Sequence, residues 1–337
     1  MMPENAVSIA GLKVVYDGQS ALDLESLEFE EGRIHILVGA NGCGKTTLLR
    51  AVAGIERPVS GSVSVFGEDL YGLSRKEFLK AIRGISLCFQ KPYLFNTSVK
   101  SNIEYGLRFR DLTAEEKRRR VRDAADALAL GPFLERNAHG LSAGESQRVS
   151  VARLLAIRPK IALLDEPIAN VDVSNKSRVE SAVERLREGG STVIVATHHM
   201  EQAYRLSANV VRLEDGRIAP PALENLIEGE IEEMDGLLYL VAGGVALSVA
   251  SGKPGFARAS IEPTAIIISS DKIHSSARNS LEGTVKKLSA HGGLVSLEVD
   301  AGVTFTAHIT EESFNQLGIN LGSKVYLTFK ASAVTVF

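Results

Sequence analysis

The stretch RIHILVGANGCGKTTLLRAVAG, residues 33–54, constrains this chain more than any other. A short apolar strand leads into a glycine-rich turn, and helix-forming residues follow until Gly54. The turn itself, GANGCGKTT at 39–47, fits the spacing G-x-x-x-x-G-K-[ST]. Glycine-rich turns also precede helices that bind nothing, but the strand–loop–helix order argues for a phosphate cradle. On that reading the N–H groups around Gly39, Asn41, Gly42 and Gly44 close on phosphate oxygens, with Thr47 at the helix start. Lys45 would place its charge on the β- and γ-phosphates, and Thr46 would offer a hydroxyl to Mg²⁺.

Strand and helix patterns alternate from the start to about residue 217, which predicts an α/β domain with a largely parallel core sheet. KIALLDEP at 160–167 and STVIVATHH at 191–199 read as further buried strands, each ending in polar residues where a parallel sheet places its ligands. Asp165 at a strand end can hold Mg²⁺, and the adjacent Glu166 can orient or deprotonate an attacking water. Taken alone, the pair reads equally well as acids capping a helix. Beside the phosphate loop the catalytic reading takes precedence. LTAEEKRRRVRDAADALAL at 112–130 predicts an amphipathic helix with a capping-box spacing from Thr113 to Glu116, its basic run 117–120 forming a solvated face.

Composition sets limits on the rest. At 337 residues two domains are expected, and a net charge of −3 gives no reason to expect nucleic acid as a partner. Two cysteines, Cys43 and Cys88, make no disulfide framework and suit a reducing cytoplasm. Cys43 stands inside the phosphate loop, where helix-start N–H groups could activate its thiol toward reagents. The start of the chain shows no signal-peptide pattern. LLYLVAGGVALSVA at 237–250 falls short of the roughly 18 apolar residues of a membrane span and is broken by Gly243 and Gly244.

After Pro220–Pro221 the texture changes to short β-rich segments punctuated by glycine, which reads as a small barrel or sandwich. The region 218–236 is the expected connection. Three parts are expected: 1–225 as the nucleotide-binding domain, 226–272 as connecting β segments of a regulatory region, and 273–337 as a small regulatory module.

Between the phosphate loop and Asp165 lies LSAGESQR, 141–148, and here the chain resembles the nucleotide-binding subunits of ABC transporters. Their signature is leucine, serine, two glycines and glutamine; Ala143 replaces the first glycine and Glu145 the glutamine. The rest of the set follows in order. Tyr16 stands where an aromatic stacks on adenine, and Gln90 matches the glutamine that touches Mg²⁺ and the water. Asp172 matches the loop crossing the dimer interface, and His198 the histidine that contacts the γ-phosphate. His199 follows where the family usually has an acid. The resemblance implies an α/β P-loop ATPase fold, ATP and Mg²⁺ as cofactors, and a homodimer in which one chain's Lys45 and Thr46 hold ATP while its partner's Ser142, Gly144 and Glu145 close on it. It also implies membrane permease subunits, an extracytoplasmic solute-binding protein, and a cytoplasmic position on the inner face of the membrane. Residues 92–110 resemble the segment that docks onto such permeases, and a plain helical linker is the other reading.

The tail from Ser275 onward resembles the small molybdate-binding module of molybdate and tungstate importer ATPases, an all-β, OB-like barrel. The resemblance rests on SSARN at 275–279, AHITEES at 307–313 and KAS at 330–332. It implies a site for a tetrahedral dianion built from Ser276, Arg278, Asn279, Lys330 and Ser332, with Thr310 and Ser313 as further hydroxyls. Glu311 and Glu312 lie close by in sequence, an objection to an anion there. Related barrels in importers of sugars, polyamines, iron and sulfate bind no anion, so a purely structural tail stays open, as does a soluble ABC ATPase using the tail as a sensor.

Overall fold

The computed structural model describes residues 4–169, 171–207, 209–219, 225–291 and 294–337. Pro220 and Pro221, where the sequence texture changes, and Asn170 before the interface loop, lie outside them. The chain divides into two units, 1–220 and 221–337.

The first unit is built on a six-stranded sheet, ordered 217–219, 210–214, 34–38, 192–197, 161–165 and 85–88. Its pairings are parallel except for the antiparallel edge strand Arg217–Ala219. Every position of Ile34–Val38, Ile161–Asp165 and Thr192–Thr197 is buried, which is why these strands read as continuous apolar runs. Alternate side chains serve opposite faces. Ile36, Val38, Leu164, Val193 and Val195 join one hydrophobic cluster, while Leu37, Leu163, Ile194 and Ala196 join a second. The first cluster includes Val149, Val151 and Ala152 of the long helix Ala143–Ile157; the second includes Leu48, Leu49 and Val52 of the helix Lys45–Val52. A four-stranded antiparallel sheet, ordered 19–30, 5–16, 60–65 and 68–69, completes this side.

The helix expected over 112–130 runs Ala114–Ala127. Only half of its capping box forms: the Thr113 hydroxyl accepts the Glu116 N–H, whereas the Glu116 carboxylate pairs with Arg119 and Arg120. Two guanidinium groups outcompete one backbone N–H for the same carboxylate.

The second unit consists of two five-stranded antiparallel sheets sharing one core, an OB-like architecture as expected from the tail sequence. One is ordered 245–249, 237–242, 225–234, 255–261 and 334–336; the other 267–269, 324–329, 279–291, 294–300 and 304–310. The apolar stretch at 237–250 is a hairpin, not a helix. Gly243 and Gly244, with φ of 54° and 83°, form the tight turn between the paired Ala242 and Val245. Strand pairing runs across the 272/273 line, because the terminal strand Val334–Val336 pairs with Gly255–Ile261 and Ile267–Ser269 with Lys324–Phe329. No helix among the described residues is long and apolar enough to cross a membrane.

Candidate active site

The phosphate loop bridges the buried strand Ile34–Val38 and the helix Lys45–Val52. Two of its glycines are sterically required. A Cβ on Gly39 would sit 2.2 Å from the Leu213 carbonyl oxygen, and Gly44, at φ 105°, would press one against Leu22 and Ala21. The Lys45 side chain folds back into the loop, where its ammonium donates to the carbonyls of Gly39 at 2.7 Å and Ala40 at 3.0 Å. It is 6% exposed, so its charge is focused at the loop mouth rather than spread into solvent.

Asn41, Gly42, Gly44, Lys45, Thr46, Thr47, Gln90, Asp165 and Glu166 line one cavity of about 280 Å³. Residues far apart in sequence are therefore brought together by the parallel strands that carry them. The Thr46 hydroxyl donates to Asp165 Oδ2 at 2.7 Å. Burial pushes the Asp165 carboxyl up, against the smaller downward pull of that hydrogen bond. An oxygen-only set of hydroxyl, carboxylate and Gln90 amide fits a hard divalent cation, which would favour the ionised carboxylate.

Glu166 follows at once in a left-handed backbone conformation, φ 46°, with its N–H donated to Ala196 of the adjoining strand. A non-glycine residue held there is strained, and such strain is retained where side-chain direction matters. Here the carboxylate turns toward the end of the strand Thr192–Thr197. His198 Nδ1 donates to Glu166 Oε1 at 2.7 Å, and the Thr197 hydroxyl to Oε2 at 3.3 Å. With the carboxylate as acceptor, His198 carries its proton on Nδ1. Sequence reasoning missed Thr197, whose hydroxyl also accepts the His199 N–H; as an ordinary β-branched residue ending a strand it carries no distinguishing signal.

Tyr16 lies near the same loop, and burial, with the Glu56 carboxylate nearby, pushes its phenol up. At 40% exposure its ring remains accessible to a flat ligand.

Ser142, Gly144 and Glu145 are not among the residues lining the Lys45 cavity; they start the helix Ala143–Ile157. The Ser142 hydroxyl accepts the Glu145 N–H at 3.2 Å, and the Glu145 carboxylate accepts the Ser142 N–H at 2.7 Å. The Glu145 carboxyl, expected to close on the partner's ATP, is thus held by its own helix start, and the Ser142 N–H lowers its pKa. Asp172 likewise caps the helix Val173–Glu188, with hydrogen bonds from Ser174 and Asn175 that lower its carboxyl to about 2.

Cys43 is buried with its thiol 3.8 Å from the Lys45 ammonium, and Cys88 is buried too. The exposure that reagent sensitivity needs is not there for Cys43.

Residues 92–110 form the helix Val99–Glu104 and a 3₁₀ turn, Tyr105–Phe109. Tyr93, Phe95, Tyr105 and Phe109 are exposed, with Phe95 and Tyr105 ring centroids 4.3 Å apart. Buried Asn102 bonds Phe95, Thr97 and Ser98, while Arg153 of the long helix reaches the Tyr93 and Asn102 carbonyls. The exposed aromatics are therefore fixed to the helix that Ser142 starts. The sequence alone does not reveal this link, because Asn102 looks like any polar helix residue.

In the second unit Asn279 is buried, and its amide is spent on the Ser248 backbone, accepting the N–H at 2.7 Å and donating to the carbonyl at 3.0 Å. Ser276, Arg278, Lys330 and Ser332 are exposed, and among the described residues no ion pair holds either cation. Asn279, the residue after Arg278, pairs with Phe329, the residue before Lys330. Thr310 and Ser313 lie elsewhere: Thr310 pairs with Leu294, which pairs with His291 at the far end of the strand that Asn279 begins. There the Thr310 hydroxyl accepts the Ser313 N–H and caps the helix Glu311–Leu317.

A P-loop strand–loop–helix, a strand-end acid pair and a histidine beside the second acid define a nucleotide-hydrolysing site. The ABC transporter family matches residues 22–169, and the TOBE domain matches 275–336. The molybdate/tungstate import ATP-binding protein WtpC of Pyrococcus horikoshii is 35% identical over 93% of this chain and 94% of its own length. The tungstate uptake system ATP-binding protein TupC of Peptoclostridium acidaminophilum is 39% identical over 63% of this chain and 96% of its own. Among solved structures, the dimeric ATP-binding cassette MJ0796 bound to ADP and Pi superposes with a TM-score of 0.60 at 28% identity, covering 64% of this chain and 97% of that one. The chain belongs to the ATP-binding proteins of ABC transporters, and it is an ATPase.

Proposed function

We propose that this chain is the ATP-hydrolysing subunit of an importer for molybdate or tungstate. The observation that carries the substrate class is that similarity to the molybdate/tungstate import protein runs through the second unit as well as the first. We take residues 1–225 as the nucleotide-binding domain, and 226–272 and 273–337 as two parts of one oxyanion-responsive unit, since their strands pair and share a core.

In the catalytic reading, Lys45 and the loop N–H groups hold the phosphates, and Tyr16 supports the base. Thr46, Asp165 and Gln90 supply the oxygens for Mg²⁺, which when bound neutralises phosphate charge. Glu166 accepts a proton from the attacking water, and His198, oriented by Glu166, contacts the terminal phosphate, donating Nε2–H when both ring nitrogens are protonated. Ser142, Gly144 and Asp172 reach the nucleotide of a second copy, so hydrolysis awaits dimer closure. Glu145 would have to leave its cap, or remain as a negative charge near ATP. The fixed aromatics of 92–110 suit a permease, which ties the chain to the inner face of the membrane, with a solute-binding protein on the far side.

For the second unit, Arg278 and Lys330, which flank the Asn279–Phe329 pair, together with Ser276 and Ser332 suit a tetrahedral dianion that restrains transport when it accumulates. Asn279 supports this site through Ser248 rather than touching the ion. Thermal unfolding of the purified chain with tungstate, molybdate, sulfate or phosphate at matched ionic strength tests it. Tungstate and molybdate alone are expected to raise Tm, because a ligand of the folded state stabilises by mass action, and Arg278→Ala should abolish the rise. A rise with all four ions, or one that survives Arg278→Ala, contradicts this site.

A further inference from the structure

We infer that Glu166, His198 and His199 form a binding site for a zinc-class divalent cation, separate from the oxygen ligands of Thr46, Asp165 and Gln90, and that its occupation shuts the ATPase off. One ligand atom from each of the three lies within 4.8 Å of the others. Two imidazoles and one carboxylate are a ligand set that zinc and its neighbours favour and Mg²⁺ does not.

The geometry needs little change. Ligand atoms around a tetrahedral zinc ion stand about 3.4 Å apart at metal–ligand distances of about 2.0–2.2 Å. Glu166 is buried and fixed by its left-handed backbone, so it acts as the anchor. His198 and His199 are exposed, their ring centroids 3.9 Å apart and their planes 39° apart, and modest rotations bring both nitrogens to a shared point. Backbone order supports this: the His199 N–H is held by Thr197, which itself bonds Glu166. Both imidazoles are exposed, so water can fill the remaining coordination positions.

The functional consequence rests on the reading of Glu166 and His198 as the catalytic pair. A cation held by both removes the carboxylate from the attacking water and the imidazole from the terminal phosphate. No bond to substrate is made or broken in this step; binding displaces a proton from the ligands to solvent.

The test uses the full chain without nucleotide, titrated with Zn²⁺ in competition with a chromophoric chelator. One equivalent per chain is expected, and His199→Ala and His199→Gln should each weaken binding at least about tenfold, since even outer partners of metal ligands contribute that much. In a parallel assay with Mg²⁺ and ATP, Zn²⁺ should inhibit the natural chain while both variants keep basal turnover and need at least about tenfold more Zn²⁺. Zn²⁺ binding that is absent, or unchanged in both variants, overturns the site. Binding lost in the variants with inhibition unchanged overturns the shut-off. Absence of Mg²⁺-dependent hydrolysis in the natural chain would instead overturn the catalytic reading, leaving the Zn²⁺ titration to decide the site.

Discussion

Glu166→Gln is expected to leave ATP binding intact while lowering steady-state hydrolysis by at least about a hundredfold, the usual contribution of a positioned general base. The substitution is isosteric. The glutamine oxygen can still accept from His198 Nδ1, which now meets Glu166 Oε1 at 2.7 Å, and the left-handed backbone at φ 46° is unaffected by the side-chain change. What is lost is the negative charge and the ability to take a proton from water. Because dimer closure on the proposed mechanism is driven by ATP and reversed by hydrolysis, the variant should accumulate as an ATP-bound dimer, visible by size-exclusion chromatography with nucleotide. Turnover within a few-fold of the natural chain would remove Glu166 as the base.

Lys45→Ala acts one step earlier. Charge-assisted hydrogen bonds contribute about 1.5–3 kcal/mol, so losing the ammonium should weaken ATP binding on the order of a hundredfold. The carbonyls of Gly39 and Ala40, which now accept from Lys45 at 2.7 and 3.0 Å, lose their donor as well, loosening the loop in addition to discharging it. Equilibrium binding of a fluorescent ATP analogue reads the effect, with the thermal transition of the apo protein as the check on folding. Unchanged affinity would mean that the phosphates do not lie at this loop.

The parallel sheet was legible because its strands are buried on both faces, and a run such as IALLD has no other stable home in a chain of this composition. The phosphate loop was legible for a steric reason: Gly39 and Gly44 occupy places where a Cβ has no room. Partnerships made across the fold were not. The Glu145 cap follows the S-x-x-E spacing from Ser142 and was there to be read. That Asn279 spends its amide on Ser248, by contrast, depends on which backbone groups tertiary packing leaves bare, and no local spacing encodes it. The Thr113–Glu116 spacing shows the same effect at short range, where Arg119 and Arg120 claim the acid. SARN leads into the strand that pairs with the strand before KAS, whereas Thr310 pairs at the opposite end of the sheet, a division set by strand register.

The most direct test of the account is to measure ATP hydrolysis and oxyanion uptake together in proteoliposomes containing this chain, its permease subunits and the solute-binding protein. Tungstate or molybdate should stimulate hydrolysis and enter the vesicles, sulfate should do neither, and the Glu166→Gln assembly should be silent in both readouts. Vigorous hydrolysis with no uptake of either oxyanion, or uptake that is unaffected by Glu166→Gln, would contradict it.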